Sequence, residues 1–240
     1  MKLKSYLLLL IILLLTINGC SKNNLLQSLS KPGENEDPLE MAQRYLDEGK
    51  YSKAEYITRD LLGDNTYDND EEAKVILGQA LMGSAGLDLN KILLNLTDPP
   101  TSATSNFSLL NFIALEQRPK IFEAADYLLN SSSTEKPVRL SAGIAGLCAA
   151  VLKVNTTFNP SGGDVGSMTA TPDIRPLWNI VSADVKYWSV GGLSSLAYAT
   201  DDPDLRESAS SVDAQIDDVN AAVAAGFPVP SSTFINLLGY

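Results

Sequence analysis

The stretch that most constrains the fold runs from Leu39 to Leu96, centred on Tyr45-Leu46-Asp47-Glu48-Gly49-Lys50-Tyr51-Ser52-Lys53-Ala54. Ala42, Tyr45 and Leu46 recur at the three- and four-residue steps of one helix face. Gly49 takes a left-handed conformation without a Cβ penalty, so the first helix is expected to close there. Ser52, with Glu55 three places on, has the form of a capping box and predicts Ser52 as N-cap of a second helix. Tyr51 and Tyr56 bracket the box and are expected to pack as a hydrophobic staple. Ala54 is small where two such helices would cross. Leu61 and Leu62 close the second helix before the polar run Asp64 to Asp70.

These residues resemble a tetratricopeptide repeat. That pattern asks for a small residue and an aromatic in its first helix, Gly at the turn, an aromatic after it, then Ala. Ala42, Tyr45, Gly49, Tyr51 and Ala54 stand in that register, and a second unit follows with Leu77-Gly78 and Leu81. The second unit departs from the pattern, with Leu87 and Asn90 where an aromatic and Ala are expected. The resemblance implies an all-α fold of helical hairpins, packed into an α-α superhelix or an irregular helical bundle. Residues 39–96 would form the tetratricopeptide-like hairpins and 105–240 further helices, because a stable solenoid needs about three repeats. The resemblance also implies a concave binding face lined by Gln43, Leu46 and Asp47 of the first unit and Gln79 and Met82 of the second. Gln and Asp can hydrogen-bond an extended peptide, while Leu and Met offer adaptable apolar contact. The alternative is that later helices cover this face and make it core.

Lys2 and Lys4 precede the apolar run Tyr6 to Leu15, the layout of a secretory signal peptide and too short a run to span a bilayer. Ile17-Asn18-Gly19-Cys20 follows and resembles the lipobox of bacterial lipoproteins, with Asn18 a departure from the smaller or aliphatic residue usual there. The resemblance implies that residues 1–19 are removed, that Cys20 is lipidated, and that acyl chains such as palmitate hold the protein on a membrane. Ser21 stands where Asp would signal inner-membrane retention, which implies the outer membrane with the domain facing the periplasm. Residues 20–38 are polar with few large side chains and read as a flexible tether.

Net charge is −11, and removal of residues 1–19 takes away two lysines and no acids to give −13. So acidic a chain repels nucleic acid and anionic headgroups, leaving acyl chains as the membrane attachment and no nucleic-acid partner. The sequence has no His, which removes Ser-His-Asp and Cys-His mechanisms, His metal sites and the usual general base. Beyond Cys20 only Cys148 remains, in Gly146-Leu147-Cys148-Ala149-Ala150, and it reads as a small buried apolar residue. Asp68, Asn69 and Asp70 lack the Gly and distal Glu of a calcium loop and read as helix caps. Asp201 and Asp204 are the pair considered for a hydrolase, but acids at a helix start are ordinarily caps. The expectation is therefore no catalytic residue, no metal and no cofactor.

Asp98-Pro99-Pro100 breaks the chain, and helices are expected over 106–116 and 119–129, with a polar loop at 130–134. Val138 to Val154 is apolar on every side, which marks a buried central helix. Residues 155–172 form the longest irregular stretch, whose glycines make no phosphate loop because no Lys follows Gly166. Two apolar stripes close the sequence: Ile174, Trp178, Val181, Val185 and Trp188, then Leu205, Ala209, Val212, Ile216, Val219 and Val223. They predict two antiparallel helices, with both Trp residues as core, and Gly191-Gly192 marks the place where the first would kink. Asp202-Pro203 starts the second and Gly226 with Pro228 stops it.

Two functional readings follow. One is a lipid-anchored helical-repeat scaffold binding a protein or peptide; the other is a ligand-binding accessory lipoprotein of a transport system. An open groove favours the first, and a closed apolar cavity the second.

Overall fold

Helix α1 (Pro38–Asp47) starts one residue earlier than expected, with Asp37 as N-cap accepting the Leu39 amide at 2.9 Å. It ends in a Schellman turn. Gly49 has φ 70°, its N–H reaches Leu46 C=O at 3.0 Å, and Lys50 N–H reaches Tyr45 C=O at 2.8 Å. Two otherwise orphaned carbonyls are satisfied this way.

Helix α2 (Tyr51–Leu62) then begins sooner than the sequence suggests. Lys50 is its N-cap and no side chain caps it, so Ser52 lies inside the first turn. The Schellman turn leaves only Gly49 and Lys50 between Glu48 and the helix, with no room for Ser52 outside it. The expected staple is absent too. The Tyr51 ring lies over Gly83, where a Cβ would collide with it, and Tyr56 is 75% exposed. Ala54 is fully buried, as its size at the crossing predicts.

The computed structural model describes residues 37–63, 70–87, 113, 115–158 and 175–227. Helix α3 (Glu71–Ser84) is capped by Asp70, whose carboxylate accepts the Ala73 amide at 2.9 Å. The remainder of the second tetratricopeptide-like unit, the Asp98-Pro99-Pro100 break and most of the helix expected over 106–116 lie outside the described residues. A 3-10 turn (Leu115–Gln117) leads into α4 (Arg118–Leu129), followed by α5 (Lys136–Phe158), α6 (Arg175–Thr200) and α7 (Pro203–Ala224). The fold is all-α: the described residues hold seven α-helices and no strand.

Packing follows chain order, with α1 on α2, α2 on α3, α3 on α4, and so on to α7. The α5–α6 pair is the most extensive of these contacts. As its composition predicts, α5 is central: Ala142, Ala145, Cys148, Ala149 and Leu152 are fully buried. It runs to Phe158, so Asn155 is not the start of a loop; it is buried in the helix and accepts from Arg118 Nη1 at 3.3 Å. Residues 159–172 lie outside the described residues.

Small residues set the α5–α6 distance. A Cβ at Gly146 would sit 2.8 Å from the Trp188 carbonyl oxygen and 3.1 Å from Gly192 Cα. Gly192, where a Cβ would lie 3.0 Å from the Gly143 carbonyl oxygen and the Leu147 nitrogen, therefore serves close approach within a helix that runs unbroken from Arg175 to Thr200.

Helix α7 packs antiparallel to α6, as the stripes predict. Trp178 near the start of α6 donates from Nε1 to Asn220 Oδ1 near the end of α7 at 2.8 Å. Lys186 pairs with Asp213 at 2.9 Å and Asp217 at 2.6 Å. The α6 stripe itself divides. Trp178, Val181 and Val185 join Val154, Ile216 and Val219, whereas Trp188 packs in the larger core and stacks on Phe122 at 5.0 Å. Trp188 lies within about 20° of Val181 around the axis but about 10 Å further along it, so the stripe divides by height along α6 rather than by face.

Candidate functional site

The five residues expected to line one concave face do not share one. On α1, Gln43 and Leu46 are half-buried and Asp47 is exposed, and Gln43 Nε2 donates to Asp47 Oδ1 at 2.9 Å. On α3, Gln79 Nε2 donates to Ser141 Oγ of α5 at 3.3 Å, and Met82 is 2% exposed. Helices α4 and α5 close that half of the face. Gly78 admits the Leu128 side chain of α4 where a Cβ would block it, and Met82 joins the core with Leu128 and Ala142. Gln79 and Met82 are therefore core-side residues rather than groove residues. Cys20 lies outside the described residues.

A different surface offers concavity. Lys74 of α3 and Glu123, Asp126, Tyr127 and Asn130 of α4 line an open cleft of about 400 Å³. The α4 residues fall at i, i+3, i+4 and i+7, so one helix face carries them all. That spacing is present in the sequence of the helix expected over 119–129 and the residue after it.

Neighbouring helices fix both acids of the cleft. Glu123 receives a two-pronged contact from Arg59 of α2, Nη1 to Oε1 at 2.7 Å and Nη2 to Oε2 at 2.6 Å. That bond, more than any other, raises the Arg59 pKa further and keeps the guanidinium charged. Asp126 Oδ1 accepts Trp188 Nε1–H from α6 at 2.9 Å. Tyr187, the neighbour of Trp188, has its hydroxyl pKa pushed up by burial and then by the Asp126 charge, against a hydrogen bond with Asn130. Tyr187 therefore stands beside the α4 face. Lys74 lies 3.7 Å from Glu71, whose carboxylate is held below its ordinary pKa chiefly by the Ser132 amide at 2.9 Å.

Behind the cleft a charged network ties α2, α3 and α4 together. Glu55 accepts from Lys120 Nζ at 2.7 Å, Arg59 Nε at 3.2 Å and Ser84 Oγ at 3.2 Å. Burial alone would raise its pKa, but Lys120 and Arg59 outweigh that and hold it low. The Glu55 expected in a capping box is thus an interhelical anchor.

Other chemistry-bearing groups are in structural use. Burial pushes the Cys148 thiol up to about 12, leaving almost no thiolate near neutral pH. Asp201 pairs with Lys136, and Asp202 caps α7 by accepting the Asp204 amide at 2.9 Å. Among the described residues no three His, Cys, Asp or Glu side chains converge as a metal site. Helix α5 is long and apolar enough to cross a membrane, but 67% of its apolar window is buried inside the fold, as befits a core helix.

The chain matches no protein-family model, no curated protein and no solved structure. What the protein does must therefore be argued from the cleft and from the start of the sequence.

Proposed function

We propose that this protein is a lipid-anchored helical scaffold that binds a protein or peptide partner at the outer membrane, facing the periplasm. The observation that carries the binding half is the open cleft on α4, where charged, amide and phenol groups converge on one helix face. Extended chains present backbone amides and carbonyls at regular intervals, and Asn130, Asp126 and Lys74 offer matching donors and acceptors. An accessory lipoprotein that encloses a small ligand for transport would call for a shielded cavity, and the cleft is open. The tetratricopeptide-like register of Ala42, Tyr45, Gly49, Tyr51 and Ala54 supports the scaffold reading by analogy only.

The anchoring half rests on Cys20 at the end of an apolar run, after Ile17-Asn18-Gly19. One acyl chain anchors marginally and two or more hold. Intact-mass analysis of the membrane fraction tests it: lipid mass on the wild type and none on Cys20→Ser are expected. A wild-type protein without added lipid would defeat the anchor. For the binding half, the full chain immobilised through its N-terminus is incubated with periplasmic extract. Partners retained by the wild type and lost when Asp126 and Asn130 are both changed to Ala are expected. Identical recovery by the double mutant would remove the cleft from the binding surface.

A further inference from the structure

We infer that the α4 cleft selects a Lys or Arg side chain of an extended peptide, with Asp126 taking the charge and Tyr127 and Tyr187 beside it. This rests on the peptide-binding reading above and adds the chemistry of the residue that is recognised.

Charge pairing around the cleft points to it. Glu123 is matched by Arg59 at 2.6 Å, and Lys74 faces Glu71 at 3.7 Å. Asp126 accepts only the neutral Trp188 indole N–H at 2.9 Å, so among the described residues its charge has no cation opposite it. An exposed carboxylate at a concave surface, in a chain of net charge −11, attracts cations from a distance and can hold one on contact.

Aromatic rings complete the setting. Tyr127 lines the cleft beside Asp126, and Tyr187 lies near enough for the Asp126 charge to act on its hydroxyl. Tyr187 is 41% exposed, leaving part of the ring for a ligand. A ring face attracts an ammonium or guanidinium group and covers its aliphatic stem. The protein already uses this arrangement close by. Lys153 Nζ lies 2.6 Å from Asp184 and 5.9 Å from the Trp188 ring, a cation held jointly by a carboxylate and an aromatic. The cleft has the same two components, and the cation in its own lining, Lys74, lies 3.7 Å from Glu71 rather than being paired with Asp126.

A peptide suits the site better than a free polyamine. Asn130 and Lys74 line the same opening and can bond backbone carbonyls, which a polyamine lacks.

The test measures fluorescence polarisation of three labelled peptides of equal length on the full chain. One carries Lys and Arg at alternate positions, one has Gln in their place, and one has Glu. Binding of the basic peptide about tenfold tighter than the Gln version is expected, weakening at high salt. Asp126→Asn should remove that advantage while leaving Tm unchanged, because the Asn carbonyl still accepts the Trp188 N–H. Tyr187→Ala should weaken the basic peptide severalfold and the Gln peptide less. Undiminished selectivity for the basic peptide in Asp126→Asn overturns the assignment. If the Gln or Glu peptide binds as tightly as the basic one, the cation preference falls and peptide binding survives. If no peptide binds, both fall. Spermidine matching the basic peptide in affinity overturns the peptide as the source of the cation.

Discussion

The two halves of this molecule hold their helices together by different means. Helices α2, α3 and α4 are tied by charge: Glu55 gathers Lys120, Arg59 and Ser84, and Arg59 passes on to Glu123. Helices α5 and α6 are tied chiefly by shape: Gly143, Gly146 and Gly192 let one backbone touch the other, with the Lys153–Asp184 ion pair at 2.6 Å added to that contact. A charged network tolerates small shifts but depends on pH and salt, and its net worth is modest because the ions must be desolvated. A glycine contact is indifferent to pH and intolerant of a single added carbon. The proposed binding surface lies on the charged side, where one face of α4 presents polar groups at an open cleft.

The largest effect expected on this contrast is from Gly146→Val. Its Cβ would meet the Trp188 carbonyl oxygen at 2.8 Å and Gly192 Cα at 3.1 Å, both backbone atoms that move only if the whole helix moves. A loss of about 3 kcal/mol, read from urea unfolding, is expected for such overpacking. A variant as stable as the wild type would mean that α5 and α6 are not in backbone contact.

Gly49→Val should cost somewhat less, about 2 kcal/mol, for a different reason. Nothing lies within 4 Å of the added Cβ, so the penalty is wholly conformational, set by φ 70°. Thermal unfolding measures it. The two glycines together separate steric from backbone cost: Gly146→Ala should still destabilise through contact, and Gly49→Asn should be nearly tolerated because Asn visits the left-handed region. The reverse ranking would break the assignment of their roles.

Acid should loosen the charged half first. Glu55 has a folded pKa lowered below 4.5, so its stabilising contribution is complete above that value and fades as pH falls through the lower folded one. The effect is expected to be about 1 kcal/mol, discounted for partial exposure. Hydrogen exchange in α2 and α4 should accelerate below about pH 4 before α5 and α6 respond, and Glu55→Gln should flatten that dependence. Uniform acid sensitivity along the chain would show that Glu55 does not anchor these helices.

The same division governs what could be read from the sequence. Gly49, Asp202-Pro203 and Gly226 were legible because each acts through its own few neighbours, and the all-α fold followed from stripes and stops of that kind. The buried state of α5 was legible from a run with no polar face. The covering of Gln79 and Met82 was not, because it depends on Leu128 and Ser141 arriving from about 50 to 60 residues away. The cleft was half-legible. Glu123, Asp126, Tyr127 and Asn130 declare a polar face by spacing alone, but their partners Arg59 and Trp188 come from helices that no local pattern brings together.

The smallest expected effect addresses the one place where two local rules competed. Ser52 and Glu55 have capping-box spacing, yet the turn at Gly49 starts the helix at Tyr51, placing Ser52 in its first turn with an exposed side chain. Asp70 is a true N-cap, accepting the Ala73 amide at 2.9 Å. Removing a working cap costs about 1 kcal/mol, so Asp70→Ala should lower stability by that amount. Ser52→Ala should change it by less than about 0.5 kcal/mol, or raise it slightly, since Ala is the better helix former inside a helix. Denaturant midpoints of the two variants, measured side by side, decide between the rules. Equal losses would restore Ser52 as a cap and move the start of α2 to Lys53, lengthening the turn that Gly49 is held to close.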